Sequence, residues 1–150
     1  MSSFVGVMPV LENSQTAGQL GMATQVTRAL VDEALSDLAQ NPLDKSLLAA
    51  AVRLSLDLFA QAHPGRSVEV RVPPFRAVQI LGGATHRRGT PPAVVEMDAQ
   101  TWLSLFTKQI SWQRAVESGS IIASGERSDL SELLGKVLDP KQPKQSRLDK

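Results

Sequence analysis

The 150-residue sequence contains no cysteine and no tyrosine. The first absence excludes disulfides, thiolate nucleophiles and cysteine-ligated zinc. The second removes one of the usual general acids and bases. Histidine is scarce too: His63 and His86 are the only two, and no HxH or HExxH spacing exists, so a histidine metal site has no local scaffold. There is no excess of one charge. Sixteen basic against fifteen acidic residues leave a formal net charge of +1, without the surplus of Lys and Arg that binding a phosphate backbone requires. No apolar run approaches the ~18 residues of a membrane span, and no basic segment followed by an apolar stretch opens the chain as in a signal peptide. GxSxG, GxGxxG and GxxxxGK[ST] are all missing, which removes the nucleophile elbow and the common phosphate-binding loops. These absences predict a cytoplasmic protein with no stable membrane insertion and no nucleic-acid partner. They assign no catalytic residue, no metal and no cofactor, and they weigh against a stand-alone enzyme.

What is present is periodicity. Hydrophobic residues make up 42% of the chain, enough for the core of one domain. Residues 1–16 show no period and read as an N-terminal arm, although Phe4, Val5, Val7, Val10 and Leu11 suit an arm that covers a groove on this molecule or on a second copy. Residues 17–39 read as an amphipathic helix through Leu20, Thr24, Thr27, Val31, Ala34 and Leu38, with its start shifted toward Met22 by Gly18 and Gly21. Asn41-Pro42 breaks the pattern and caps a second helix that runs to about Ala62. His63-Pro64-Gly65 ends it.

The period then changes to two. Val68, Val70 and Val72 alternate with polar residues across 67–72, Pro73-Pro74 interrupts, and 75–81 resumes with Val78 and Ile80 on one face. Residues 84–93 form a polar connection in which His86 and Arg88 stand as a cationic lip for an anionic head group, or as the solvated charges of a hairpin. Val94, Val95 and Met97 make a third strand. Residues 98–134 hold both tryptophans. Asp98 caps a helix with Trp102 and Phe106, Ser111 caps another with Trp112, Gly119 closes it, 120–124 is a strand, and Ser128 caps a last short helix. Residues 139–150 have almost nothing to bury and read as a disordered tail. The expected domain is therefore 17–138.

The run ISWQRAVESGSIIASG at 110–125, with Ala115, Gly119, Ile121 and Gly125 at the joints, resembles the C-terminal signature of the sterol carrier protein family. AVRLSLDLFA, PGRSVEVRVPPF, RGTPPAVVEMDAQTWLSL and SGERSDLSELL resemble more closely a group of short actinobacterial sterol-carrier-like proteins. They also resemble, more distantly, the C-terminal domain of mycothiol-dependent maleylpyruvate isomerases. The resemblance implies an α+β sandwich: a mostly antiparallel sheet of four to five strands, covered on one face by helices. Between the layers it implies an apolar tunnel for a fatty acyl chain, acyl-CoA or a sterol-like lipid. The family usually ends with a fifth strand, where 128–134 reads as helical.

A tunnel of that kind is mostly apolar with few polar groups. Its walls would be Val70, Val72, Val78, Ile80 and Val95, with Trp102, Phe106, Ile110, Trp112 and Ile122 as a lid. The same residues equally describe a core packed without a void. Three functions follow: non-catalytic binding of a hydrophobic small molecule, an accessory or dimerisation domain with a filled core, or a substrate-binding partner of a thiol-dependent isomerase or transferase.

Overall fold

A computed structural model describes residues 25–83 and 93–138. The expected arm at 1–16, the first part of the 17–39 helix, the lip residues His86 and Arg88, and the tail at 139–150 lie outside the described residues. Within them the fold is α+β, with α1 (Arg28–Gln40), α2 (Lys45–Ala62), β1 (Val68–Val72), β2 (Arg76–Ile80), β3 (Ala93–Met97), α3 (Ala99–Phe106), α4 (Trp112–Glu117), β4 (Ile121–Ser124) and α5 (Ser131–Leu138) in chain order.

The sheet order is β2-β1-β3-β4. The outer pairs are antiparallel and the central β1–β3 pair is parallel. Register puts Val70 opposite Val78 on one side and Val95 on the other, with Val95 opposite Ala123. Because side chains alternate, this aligns Val68, Val70, Val72, Ile80, Val95 and Met97 on one face, all buried. The other face carries Glu69, Arg71, Glu96 and Ile122, with Arg71 and Glu96 paired at 3.7 Å. It faces water, as one side of a largely antiparallel sheet commonly does.

Helices close the buried face. Leu56 and Phe59 of α2 and Trp102 and Phe106 of α3 are fully buried. The Trp102 ring stands edge-on to Phe59 at 5.4 Å and tilted against Phe106 at 5.8 Å. Its indole N–H donates to Ser55 Oγ at 2.8 Å, and Ser55 in turn donates to the Ala51 carbonyl at 2.6 Å, so a polar pair inside the core is satisfied. Edge strand β2 is tied to α2 by Arg76 and Asp57 at 2.8 Å.

Three boundaries differ from the periodic reading. Residues 25–27 are not helical: the Val26 N–H donates to Gln61 Oε1 at 2.7 Å and its carbonyl accepts from Gln61 Nε2 at 2.8 Å. That backbone is claimed by α2, and Thr27 becomes the cap, its hydroxyl accepting from the Leu30 N–H. Asn41 closes α1, its N–H bonding the Asp37 and Leu38 carbonyls. The cap of α2 is Asp44, which accepts from the N–H groups of Ser46 and Leu47. The Ser46 hydroxyl, and then the Leu47 N–H, hold the Asp44 carboxyl below its ordinary range. At the far end, the Ser128 hydroxyl donates to Gly125 O at 3.0 Å and is spent on that turn. Asp129 takes the Ser131 N–H at 3.0 Å instead, so α5 begins at Ser131. This last element is a helix, where the family resemblance implies a strand.

Gly65 joins the helical and strand halves. Its φ is +147°, and a Cβ there would collide with the backbone of Leu81 and Gly82. The collision is with main chain, so no rotamer change relieves it. Gly65→Ala should lower stability by roughly 3 kcal/mol, read as a fall in the urea midpoint; an unchanged midpoint would show that the 63–67 turn does not press on 80–82.

Candidate functional site

The ten apolar residues singled out by pattern go to three places. Val70, Val72, Ile80, Val95, Trp102 and Phe106 are 0% exposed and pack into one core cluster, with Val78 half-buried beside it. Ile110 and Trp112 are half-buried at the edge of that cluster. Ile122 joins neither group: register sets it opposite Glu96 on the open face, where it is 66% exposed. Six of the ten thus share one buried core cluster around Trp102, and a concave surface among the described residues lies at the edge of that cluster.

That surface forms where the end of α3 meets α4 and α5. After Phe106 the chain must turn sharply. Lys108 adopts φ +64°, its N–H bonds the Leu105 carbonyl at 3.1 Å, and the Gln109 N–H reaches Ser104 O at 2.7 Å. This is the left-handed helix ending that glycine normally supplies. A lysine held there costs on the order of 1 kcal/mol. Ser111 then accepts the Arg114 N–H at 3.1 Å and starts α4 with Trp112. Opposite, α5 is held down by Leu130 and Leu134, both buried, and by a bond of 3.3 Å between His63 Nε2 and the Leu133 carbonyl.

The result is an open groove of about 410 Å³, lined by Leu105, Lys108, Ile110, Trp112, Leu134 and Gly135, among others. That is within the roughly 300–1,000 Å³ of small-ligand sites. Further depressions share lining residues with it. One of about 320 Å³ reaches Arg28, Leu35 and Phe106 and shares Lys108. One of about 460 Å³ reaches Val116 and shares Trp112. The walls are mainly apolar. Lys108 supplies a cation, and among the described residues it has no ion-pair partner.

Gly135 is one of the lining residues. It lies inside a helix, and a Cβ added there meets nothing within 4 Å. A glycine in a helix interior costs about 1 kcal/mol relative to alanine, and here the space it leaves is part of the groove. Lys108 and Gly135 both escape a reading by periodicity. Gly135 lies just past 134, where the helical reading stops, so its place inside a helix comes from the fold.

Among the described residues no three His, Asp or Glu side chains cluster as metal ligands, and no helix is long and apolar enough to cross a membrane. His63 sits behind α5, edge-on to Phe59 at 5.0 Å. Burial, and secondarily the charge of Lys136, push its pKa below the ordinary value, against the opposing Leu133 bond. A depressed histidine contributes stability above its unfolded pKa of about 6.5 and loses it as pH falls through the folded value. The urea midpoint should therefore drop between pH 7 and pH 5, and His63→Gln should flatten that drop. Equal slopes would contradict the assignment.

A family model described as bacterial SCP ortholog matches residues 44–135. The matched span begins at the Asp44 cap of α2 and ends at Gly135 in the groove wall. No curated protein matches the chain.

Proposed function

Because this chain belongs to the bacterial SCP ortholog family of lipid-carrier-like domains, we propose that it binds a fatty acyl chain, without catalysis, in the groove between α3, α4 and α5. One observation carries the reading: an apolar groove of about 410 Å³ with a helical glycine in its wall. Its linked depressions suit a flexible chain better than a rigid sterol, because a chain bends to follow them. Lys108 faces the groove without a partner carboxylate among the described residues, so an anionic head group completes the site. Binding there is by shape and desolvation, at roughly 25 cal/mol per Å² of apolar surface removed from water.

The test is titration with a fatty acid bearing a fluorescent tail, followed by energy transfer from Trp112. Saturable binding is expected. Lys108→Met should weaken the free acid roughly two- to fivefold, the worth of an exposed ion pair, and leave the methyl ester unchanged. No saturable binding to the unsubstituted protein would overturn the reading.

A second reading, an interaction domain with a filled core, draws on the exposed Ile122 of the open sheet face and on the ring contacts of buried Trp102. It predicts that Ile122→Lys abolishes self-association and leaves the fluorescent acid unbound in either form. The isomerase-partner reading rests on His86 and Arg88.

A further inference from the structure

We propose that the cleft between α1 and α3 is a second binding site, for a small neutral molecule that carries a carboxamide edge on an apolar body. The proposal does not rest on the acyl-binding reading.

The cleft holds about 310 Å³, at the lower end of the range for small-ligand sites. Its two walls differ. One is apolar, made by Leu35, Leu38 and Ala39 of α1 with Leu48 of α2. Leu35, Leu38 and Leu48 are only half-buried, so an apolar body laid against them removes their remaining surface from water.

The other wall is a polar rail. Gln100 and Ser104 stand four residues apart on α3, which puts them on one face of the helix. Thr107 caps the end of that helix. The Gln109 N–H bonds the Ser104 carbonyl at 2.7 Å, and this turn brings Gln109 back beside Ser104. Among the described residues the side chains of Gln100, Ser104 and Gln109 have no hydrogen-bond partner. Thr107 gives its hydroxyl proton to the Leu103 carbonyl at 2.7 Å and keeps its lone pairs.

Charge is absent from both walls: none of the ten lining residues carries one. Lys108 lies between Thr107 and Gln109 in sequence, yet it lines the acyl groove and the depression at Arg28, not this cleft. The chain reversal at Lys108, with φ +64°, therefore leaves a cation on one side of the turn and amides on the other.

That separation decides the class of ligand. A glutamine amide offers two N–H donors and one carbonyl acceptor, and its complement is another amide. A carboxylate only accepts and would find no cation here. An ammonium only donates and would find no carboxylate. Either would give up hydration without a counter-charge. A neutral carboxamide satisfies the rail with its edge and the leucines with its body.

The test titrates the full chain, followed by NMR, with three probes of one shape: indole-3-acetamide, its anionic counterpart indole-3-acetate, and 3-methylindole, which keeps only the apolar body. The acetamide should shift the side-chain NH2 signals of Gln100 and Gln109 and the backbone amides of Leu38 and Ser104, and the shifts should saturate. The acetate and 3-methylindole should bind roughly fivefold more weakly, the worth of one net hydrogen bond. Gln100 is exposed and lines this cleft but not the acyl groove. Gln100→Leu should therefore weaken the acetamide roughly fivefold and leave both 3-methylindole and the fluorescent fatty acid unchanged, a pattern that a damaged fold would not give. Equal affinity for acetamide and acetate, or no saturable shift at Gln100 and Gln109, would overturn the proposal. So would shifts confined to Trp112 and Gly135, which would place the probe in the acyl groove.

Discussion

Trp102→Ala should cost about 3–5 kcal/mol of folding stability, the range for deleting a buried large aromatic side chain. Trp102 is 0% exposed, and its neighbours are set by two different helices and the sheet, so they cannot all collapse into the space it leaves. Two ring contacts go with it, to Phe59 at 5.4 Å and to Phe106 at 5.8 Å. Ser55 also loses the indole N–H it accepts at 2.8 Å, although its own hydroxyl proton stays on the Ala51 carbonyl. Trp102→Phe separates these effects. It retains most of the volume and removes the hydrogen bond, and should cost about 1–2 kcal/mol. A domain of this size is stable by only ~5–15 kcal/mol, so the alanine variant should show a urea midpoint near half the original, followed by far-UV circular dichroism. A midpoint shift for Trp102→Ala no larger than that for Trp102→Phe would mean that space, not packing, surrounds the ring.

That contrast bears on the tunnel expected from the family resemblance. Periodicity identified Val70, Val72, Val95, Trp102 and Phe106 as the side chains that face inward, and they do. It could not say whether a void lies between them, because a lined tunnel and a filled core need the same residues in the same order. Strands were legible because Val68, Val70 and Val72 alternate with Glu69 and Arg71 in a segment too short for a helix. Caps were legible where one candidate stood alone: Asp98 accepts the Thr101 N–H at 2.8 Å, and Ser111 accepts that of Arg114 at 3.1 Å. They were misplaced where two candidates stood close together. Asn41 and Asp44 both suit a helix start, and the three-dimensional path decides that the first closes one helix and the second opens the next. Thr27 fits the apolar period of a helix, but the backbone of Val26 beside it is held out of one by Gln61, 35 residues away.

The groove was the least legible feature. It is assembled from 105–112 and 131–135, and neither stretch is concave by itself. Lys108 reads as an ordinary surface lysine until its φ of +64° and its place at the groove mouth are seen together. Gly135 falls one residue beyond the stretch that reads as helical, and the open space beside it exists only in the folded chain.

Gly135→Leu is the substitution with the largest expected effect on binding. The leucine side chain would project into space that no atom occupies within 4 Å of its Cβ, and it would fill the part of the groove facing Leu105 and Trp112. Nothing in the core has to move. The helix should gain up to about 1 kcal/mol from losing a glycine. Stability and binding should therefore change in opposite directions, which a generally damaged fold would not produce. Lys108→Gly makes a milder companion: relief of the left-handed strain should add about 0.5–1 kcal/mol while removing the head-group contact.

The decisive measurement is the affinity of the fluorescent fatty acid for Gly135→Leu beside the unsubstituted protein, with the urea midpoint of each taken under the same conditions. Occupation of this groove predicts an affinity at least about tenfold weaker, a loss of ~1.4 kcal/mol or more, in a protein whose midpoint is unchanged or higher. Equal affinity in the two proteins would contradict it and place the ligand elsewhere.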